Sequence, residues 1–401
     1  MQLRSRRHPA AIAAYFRLVV TLLLGLELTG LSDAAPRPYT MNVIVSQTGP
    51  AAFIGASITK TLDIVASIVN SRGGIGDRPL RFVFSDDHSD PVVALQLFQG
   101  LAAQRPPLIL GPSFVATCSA VMPEALKSGP VTWCLSPGIY PPGGSYVFAT
   151  GPTTDDTTLV LVRYFRERGW KRLAVITSTD ASGEAWDRGV QYALNQPENM
   201  GVTLVAREYM NPADLSVNGQ ITRIKAANPQ AVLTLSAGTS WGTIMRGLSD
   251  AGIDLPVGGG NGNMLTAQLR QYQSFLPREL YFPGFLNISE HAVGAGPIRD
   301  AQQTFFTALA AAHIKPDLGI GLAYDPAMLL VDALQRLGPS ATAAQLRDHL
   351  LSERGWTGSN GIYDFRDGSQ RGLGPLSLVV DRWNPADAAF TSVSRPGGYL
   401  K

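Results

Sequence analysis

Two cysteines in 401 residues cannot build a zinc site, an iron-sulfur site or a disulfide-dense scaffold. Charge is also sparse, at 16% of residues, while the 45% apolar content is ample for a buried core and excludes a disordered tail. Neither G-x-S-x-G nor G-x-x-x-x-G-K-[ST] occurs, and His88, His291, His313 and His349 show no H-E-x-x-H spacing. The run Gly258 to Asn263 has Asn where the third Gly of a dinucleotide fingerprint would stand, and it lies late in the chain. Asp86-Asp87-His88-Ser89-Asp90 lacks the Gly and Glu of a calcium loop and reads as a polar strand end. These absences argue against a hydrolase or dehydrogenase; the expectation is a protein that is not an enzyme, with no cofactor and no metal.

What is present begins with a leader. Arg4, Arg6 and Arg7 precede an apolar stretch from Leu18 to Leu31, and Ser32-Asp33-Ala34 supplies a small-x-small cut site, the pattern of a cleavable signal peptide over residues 1–34. A membrane anchor fits less well, because the stretch is about 14 residues long and contains Glu27, whereas spanning takes about 20. No Cys lies near the cut to carry a lipid, and the lone Arg6-Arg7 pair is a weak twin-arginine signal. Beyond residue 34 the chain has 29 basic and 29 acidic side chains, so nothing argues for nucleic acid or an anionic membrane surface as partner. No later apolar run reads as spanning length, which predicts a mature chain soluble outside the cytoplasm, and a monomer is expected.

At roughly 150 residues per domain the length suggests two or three domains, and 41 Gly and 28 Pro point to many short turns. Strand-type runs alternate with helix-type runs: Met41 to Val45, then Ala56 to Asn70 with Ile58, Leu62, Val65, Ile68 and Val69 on one side, then Leu80 to Ser85 after a Gly-rich turn. Pro91 to Ala103, Pro107 to Gly111, Ala116 to Lys127 and Val131 to Ser136 continue the alternation. After Pro141-Pro142-Gly143-Gly144 it resumes with Thr157 to Arg168, Arg172 to Thr177, Ala185 to Leu194, Val202 to Glu208, Val217 to Ala227, Ala231 to Leu235, Trp241 to Ala251 and Pro256 to Gly259. Such alternation predicts α/β architecture with two doubly wound parallel sheets.

Ligands of open parallel sheets collect beyond the carboxyl ends of the strands. Four loops there are informative: Gln47 to Gly55, Gly111 to Thr117, Ser136 to Tyr140 and Gly258 to Asn263. Their Gly, Ser and Thr content leaves backbone N–H groups accessible, and the helix starting near Ala116 favours an anion such as a carboxylate. At about 1.5–3 kcal/mol per charge-assisted hydrogen bond, three or four contacts could support micromolar binding.

Ser46 to Gly55 (SQTGPAAFIG), Asn70 to Gly76 (NSRGGIG), Ser85-Asp86-Asp87, Gly111-Pro112 and Leu135 to Tyr140 (LSPGIY) stand in an order that resembles periplasmic substrate-binding proteins of the branched-chain amino acid and amide ABC transporters, the leucine-binding-protein-like type. Gly183-Glu184, Ala323-Tyr324-Asp325 expected to open a helix, and Gly361-Ile362-Tyr363-Asp364-Phe365 continue the likeness. The resemblance implies two lobes of a type I periplasmic binding fold joined by three crossover strands, with residues 35–153 and 285–375 in the first lobe and 154–284 and 376–401 in the second. It implies hinge closure on a small solute and delivery to ABC permease subunits. A ligand sensor that presents solute to a membrane receptor would share this fold.

Carried over residue by residue, the resemblance puts a first-lobe carboxylate site at Val115, Ala116, Ser136, Gly138 and Tyr140, with Phe53 in a covering loop. The second-lobe positions are Ser182, Ala237 and Asn261. Amino acid binders of the family tend to have an aromatic residue at the position of Ser182 and an acid at that of Asn261. Neither residue is charged here, so a buried ammonium would lose its counterion. The expected solute is therefore a carboxylate, aromatic or hydroxylated among the options, or an amide; Asp155, Asp156 and Asp180 are the acids that could supply a counterion, and a branched-chain amino acid is the alternative. Cys118 and Cys134 read equally as a disulfide or as two buried thiols.

Overall fold

Four helix starts, at Pro91, Thr154, Ala181 and Ala343, are set by side-chain caps that an apolar periodicity does not register. The computed structural model describes residues 36–401, and the signal peptide read at residues 1–34 lies outside them. In chain order the first layer comprises β1 (Tyr39–Val45), α1 (Ala52–Ser71), β2 (Leu80–Asp86), α2 (Pro91–Ala102), β3 (Leu108–Leu110), α3 (Val115–Ser128), β4 (Val131–Cys134) and β5 (Val147–Ala149). Its strands form a five-stranded parallel sheet of order β2-β1-β3-β4-β5. The second layer follows with α4 (Thr154–Glu167), β6 (Arg172–Ser178), α5 (Ala181–Leu194), β7 (Thr203–Met210), α6 (Asn218–Ala226), β8 (Ala231–Leu235), α7 (Ser240–Asp250), β9 (Val257–Gly259), α8 (Thr266–Tyr272) and β10 (Leu280–Phe285). The chain then forms α9 (Pro297–Ala311), α10 (Leu318–Leu337), α11 (Ala343–Ser352), the hairpin of β11 (Arg354–Thr357) with β12 (Ile362–Asp364), β13 (Leu378–Asn384) and β14 (Ala389–Ser392).

The second sheet has seven strands in the order β14-β13-β10-β9-β8-β6-β7. Its β7-β6-β8-β9-β10 part repeats the order of the first sheet, so each lobe has its own switch point, between β1 and β3 and between β6 and β8. The expected all-parallel pattern fails at one edge, where β13 and β14 are antiparallel. These strands arrive from the first lobe and by a tight turn, not by a βα crossover, which is the connection that enforces parallel pairing. The first sheet is built from residues 39–149 and the second from residues 172–392, with α9, α10, α11 and the β11–β12 hairpin inserted between β10 and β13.

Several elements begin earlier than the apolar periodicity indicates. Thr153 and Asp156 form a capping box that starts α4 at Thr154, and Asp180 accepts from the Gly183 N–H at 2.8 Å to start α5 at Ala181. Ala323-Tyr324-Asp325 lie in the middle of α10, not at its start. α1 is long and apolar enough to cross a membrane, with a mean hydropathy of 1.5, although no later run was expected to reach that length. Ile58, Leu62, Val65 and Val69 are buried on one face, which packs against α10, so α1 is a core helix of this lobe.

Cys118 and Cys134 are free, buried thiols. The Cys118 thiol donates to the Pro112 carbonyl at 3.2 Å, and burial pushes it well above the usual range. The acidic stretch after β2 holds the neighbouring loop: Asp86 accepts from Gln47 N (2.9 Å), Thr48 Oγ1 (2.7 Å) and His88 N (2.9 Å).

Candidate functional site

Between the two sheets, where strand ends of both switch points face each other, lies a cavity of about 40 Å³. The first lobe contributes Ile54 after β1, Ser113, Phe114 and Val115 after β3, and Leu135 to Gly138 after β4. The second lobe contributes Thr154, Ser182, Ala185 and Trp186 at helix starts, Ala237 after β8, and Asn261 and Gly262 after β9; Leu318 and Leu322 of α10 complete the wall. A larger groove of about 880 Å³ runs between α9, the segment after it and β14. It lies away from both switch points, so the smaller cavity is the candidate site.

Three features define its chemistry. No Asp, Glu, Lys, Arg or His lines it among the described residues. α3 begins without a side-chain cap, since Phe114 occupies the N-cap position, and the Val115 and Ala116 N–H groups have no partner among the described residues. Those open donors and the positive end of α3 favour a bound anion or carbonyl oxygen. Asn261 is 2% exposed, and its Nδ2 has no hydrogen-bond partner among the described residues. Such a buried orphan donor costs about 1–3 kcal/mol unless a guest accepts from it.

The acids that could have answered an ammonium are engaged elsewhere. Asp180 accepts from Gly183 N and Ser178 Oγ, both at 2.8 Å. Asp156 accepts from Thr153 N at 3.0 Å and Thr153 Oγ1 at 2.7 Å. Burial raises Asp155 above the usual carboxylate range, opposed by the Tyr140 phenol that bonds to it. None of the three lines the cavity.

Val115, Ser136, Gly138, Ser182, Ala237 and Asn261 come together at the cavity, whereas Phe53, Ala116 and Tyr140 have no side chain on its wall. Phe53 belongs to the first turn of α1, not to a loop, and packs against the core. Ala116 follows Val115 in the first turn of α3 and does not line the cavity. Tyr140 is 44% exposed and stacks over the Arg371 guanidinium at 5.2 Å; burial and the nearby Asp155 charge push its phenol up to about 12. Trp186 is the largest of the wall residues that sequence reasoning did not single out. Its position one helical turn after Ser182, on the same face of α5, was the available signal. Gly138 has its reason here too, because a methyl group on it would lie 2.8 Å from Val115 Cγ2.

Residues 38–381 match the family model described as periplasmic binding protein. The chain belongs to the periplasmic binding protein family. A curated relative, the Leu/Ile/Val-binding protein homolog 3 of Brucella melitensis, is 26% identical over 239 residues, which cover 58% of this chain and 64% of the relative, less than two thirds of its length. Among solved structures, an extracellular ligand-binding receptor from Rhodopseudomonas palustris HaA2 superimposes with a TM-score of 0.75 at 21% identity, covering 88% of this chain and 99% of that one. An ABC transporter solute-binding protein of R. palustris in complex with benzoate gives 0.72 at 16% identity, covering 89% and 96%. At these identities the structural likeness establishes the two-lobed type I fold, and this family member's ligand has to be argued from its own cavity.

Proposed function

We propose that this protein is an extracytoplasmic solute-binding protein of an ABC importer that captures a small carboxylate or amide lacking an ammonium group. In this reading residues 35–153 and 285–375 move as one lobe and 154–284 and 376–401 as the other, in the periplasm, and the closed form docks on the permease without catalysing a reaction. The observation that carries the solute class is the neutral wall: no ionisable side chain lines the cavity among the described residues, while Val115, whose N–H is unpartnered at the start of α3, and Asn261, whose side-chain Nδ2 is an orphan donor, both belong to its wall. A carboxylate bonded by main-chain donors at a helix start needs no cationic side chain, whereas an ammonium desolvated without a counterion is costly. About 40 Å³ has room for roughly three waters, so a guest enters when the lobes part and is enclosed when they close. Apolar walls from Ile54, Phe114, Leu135 and Trp186 suit an aliphatic or aromatic body, and benzoate is the ligand of one R. palustris neighbour.

The second reading, a branched-chain amino acid binder for the same kind of importer, is favoured by what the Brucella relative is named for. A thermal-shift screen separates them. Benzoate, short aliphatic acids and amides are expected to raise the melting temperature, and a ligand at 100 times its dissociation constant adds about 2.7 kcal/mol. A strong response to leucine or valine with none to the amino-free acids overturns the proposed class.

A further inference from the structure

The second-lobe wall carries a feature that the proposed solute class leaves open. Trp186 lies on α5 and is 4% exposed, and its indole N–H has no partner among the described residues. Its ring is seated against Gly260: a methyl group there would lie 2.8 Å from Cζ2, 2.9 Å from Cε2 and 3.3 Å from Nε1, so only glycine allows the indole this place. Gly260 is the immediate neighbour of Asn261, so the indole N–H and the orphan Asn261 Nδ2 belong to one stretch of wall. An indole nitrogen can only donate, whereas the Asn261 carboxamide carries both an NH2 donor, here without a partner, and an oxygen acceptor. A group placed there that can itself only donate, such as an ammonium, would face Trp186 Nε1 with nothing to give it.

Resting on the proposed solute class, we infer that Trp186 Nε1 and Asn261 Nδ2 form a donor pair for a neutral oxygen acceptor on the guest, which makes the solute a carboxylic acid that also carries an oxo or amide oxygen. The α3 start receives the carboxylate, and the second lobe reads the other oxygen. With no cation at that end, a second full carboxylate would be desolvated without compensation, so the acceptor is uncharged.

The test is isothermal titration of the whole mature chain with valine and its isosteric oxo, hydroxy and unsubstituted acids. The oxo acid is expected to bind about tenfold tighter than the unsubstituted acid and about 100-fold tighter than valine. Trp186→Phe keeps an aromatic wall and removes the N–H, so the oxo acid should lose about tenfold more affinity than the unsubstituted acid; Asn261→Ala should narrow the same ratio. Equal losses for both acids, or equal affinity for them in the unaltered protein, overturns the donor pair and leaves the solute class standing. Tightest binding by valine overturns both, as does silence from all four compounds.

Discussion

The cavity and the seam where the chain crosses between the lobes treat charge in opposite ways. The cavity wall has no ionisable side chain, while the seam buries Asp317, Asp325, Arg371 and Asp381. Each seam charge has partners. Arg371 donates to the Gly151 carbonyl at 3.1 Å and the Pro137 carbonyl at 3.0 Å, and burial pulls its guanidinium down to about 10. Asp317 accepts from Ser57 Oγ and is pushed by burial to about 6. This fold therefore buries charge where it can surround it with hydrogen bonds. The neutral cavity is thus informative about the guest, since the same chain had the means to place a charge there.

Removing a seam charge should have the largest effect. Asp325 Oδ1 accepts from Ser359 N (2.9 Å) and Ser359 Oγ (2.6 Å), and Oδ2 from Asn360 N (2.8 Å) and Tyr363 Oη (3.1 Å), which fastens the β11–β12 hairpin to α10. Asp325→Leu strands four donors, two of them main-chain, and is expected to cost about 3–5 kcal/mol in urea unfolding. A loss below about 1 kcal/mol would mean that the seam tolerates vacancies as the cavity does.

Asp381 is the weakly partnered member of the seam and gives the next effect. Ser289 Oγ donates to it at 2.5 Å, but Oδ2 has no partner, and burial pushes the carboxyl up to about 7, partly opposed by Lys401. Its folded value lies above the ordinary 3.8, so the proton is held more tightly by the folded state. The associated stability is full below about pH 4 and is lost as pH rises through about 7. Asp381→Asn should stabilise by about 2–4 kcal/mol at pH 8 and by little at pH 4, read from melting curves at the two values. A difference independent of pH would show that Asp381 is charged throughout and belongs with the well-partnered acids.

Much of this architecture was legible because parallel strands buried on both faces alternate with helices of apolar period, and because the switch-point loops are rich in Gly and Ser. The helix starts at Thr154 and Ala181 were misplaced because Thr153 and Asp180 cap the backbone through polar side chains that a hydrophobic pattern does not register. The antiparallel β13 and β14 were hidden because pairing direction follows from the path between the lobes and not from local composition. Four cavity residues, Val115, Ser136, Gly138 and Asn261, lie in the strand-end loops, and Ser182 and Ala237 came through the family resemblance, but Tyr140 turns to Arg371, and Phe53 is carried into the core by the first turn of α1. Which way such a side chain turns depends on contacts distant in sequence. Trp186 was missed for a related reason, since its place beside Gly260 joins two segments more than seventy residues apart.

The comparison can also be broken from the cavity side, by importing a charge with Asn261→Asp. The new carboxyl would be almost isosteric with the 2%-exposed amide, so the local packing should survive. With no cation on the wall, it would be raised above the usual carboxylate range while the cavity lacks a counterion. An ammonium guest supplies that counterion and a carboxylate guest repels it. Leucine affinity should therefore rise by about tenfold, near 1.4 kcal/mol, while benzoate affinity falls by at least as much. Titration of both ligands against both proteins gives a double difference in which any general damage to the site cancels. If leucine gains nothing while benzoate falls, Asn261 contributes to the carboxylate end and the guest lies in the opposite sense across the cleft; if neither moves, position 261 is wall without contact, and the neutral cavity loses its meaning for the guest.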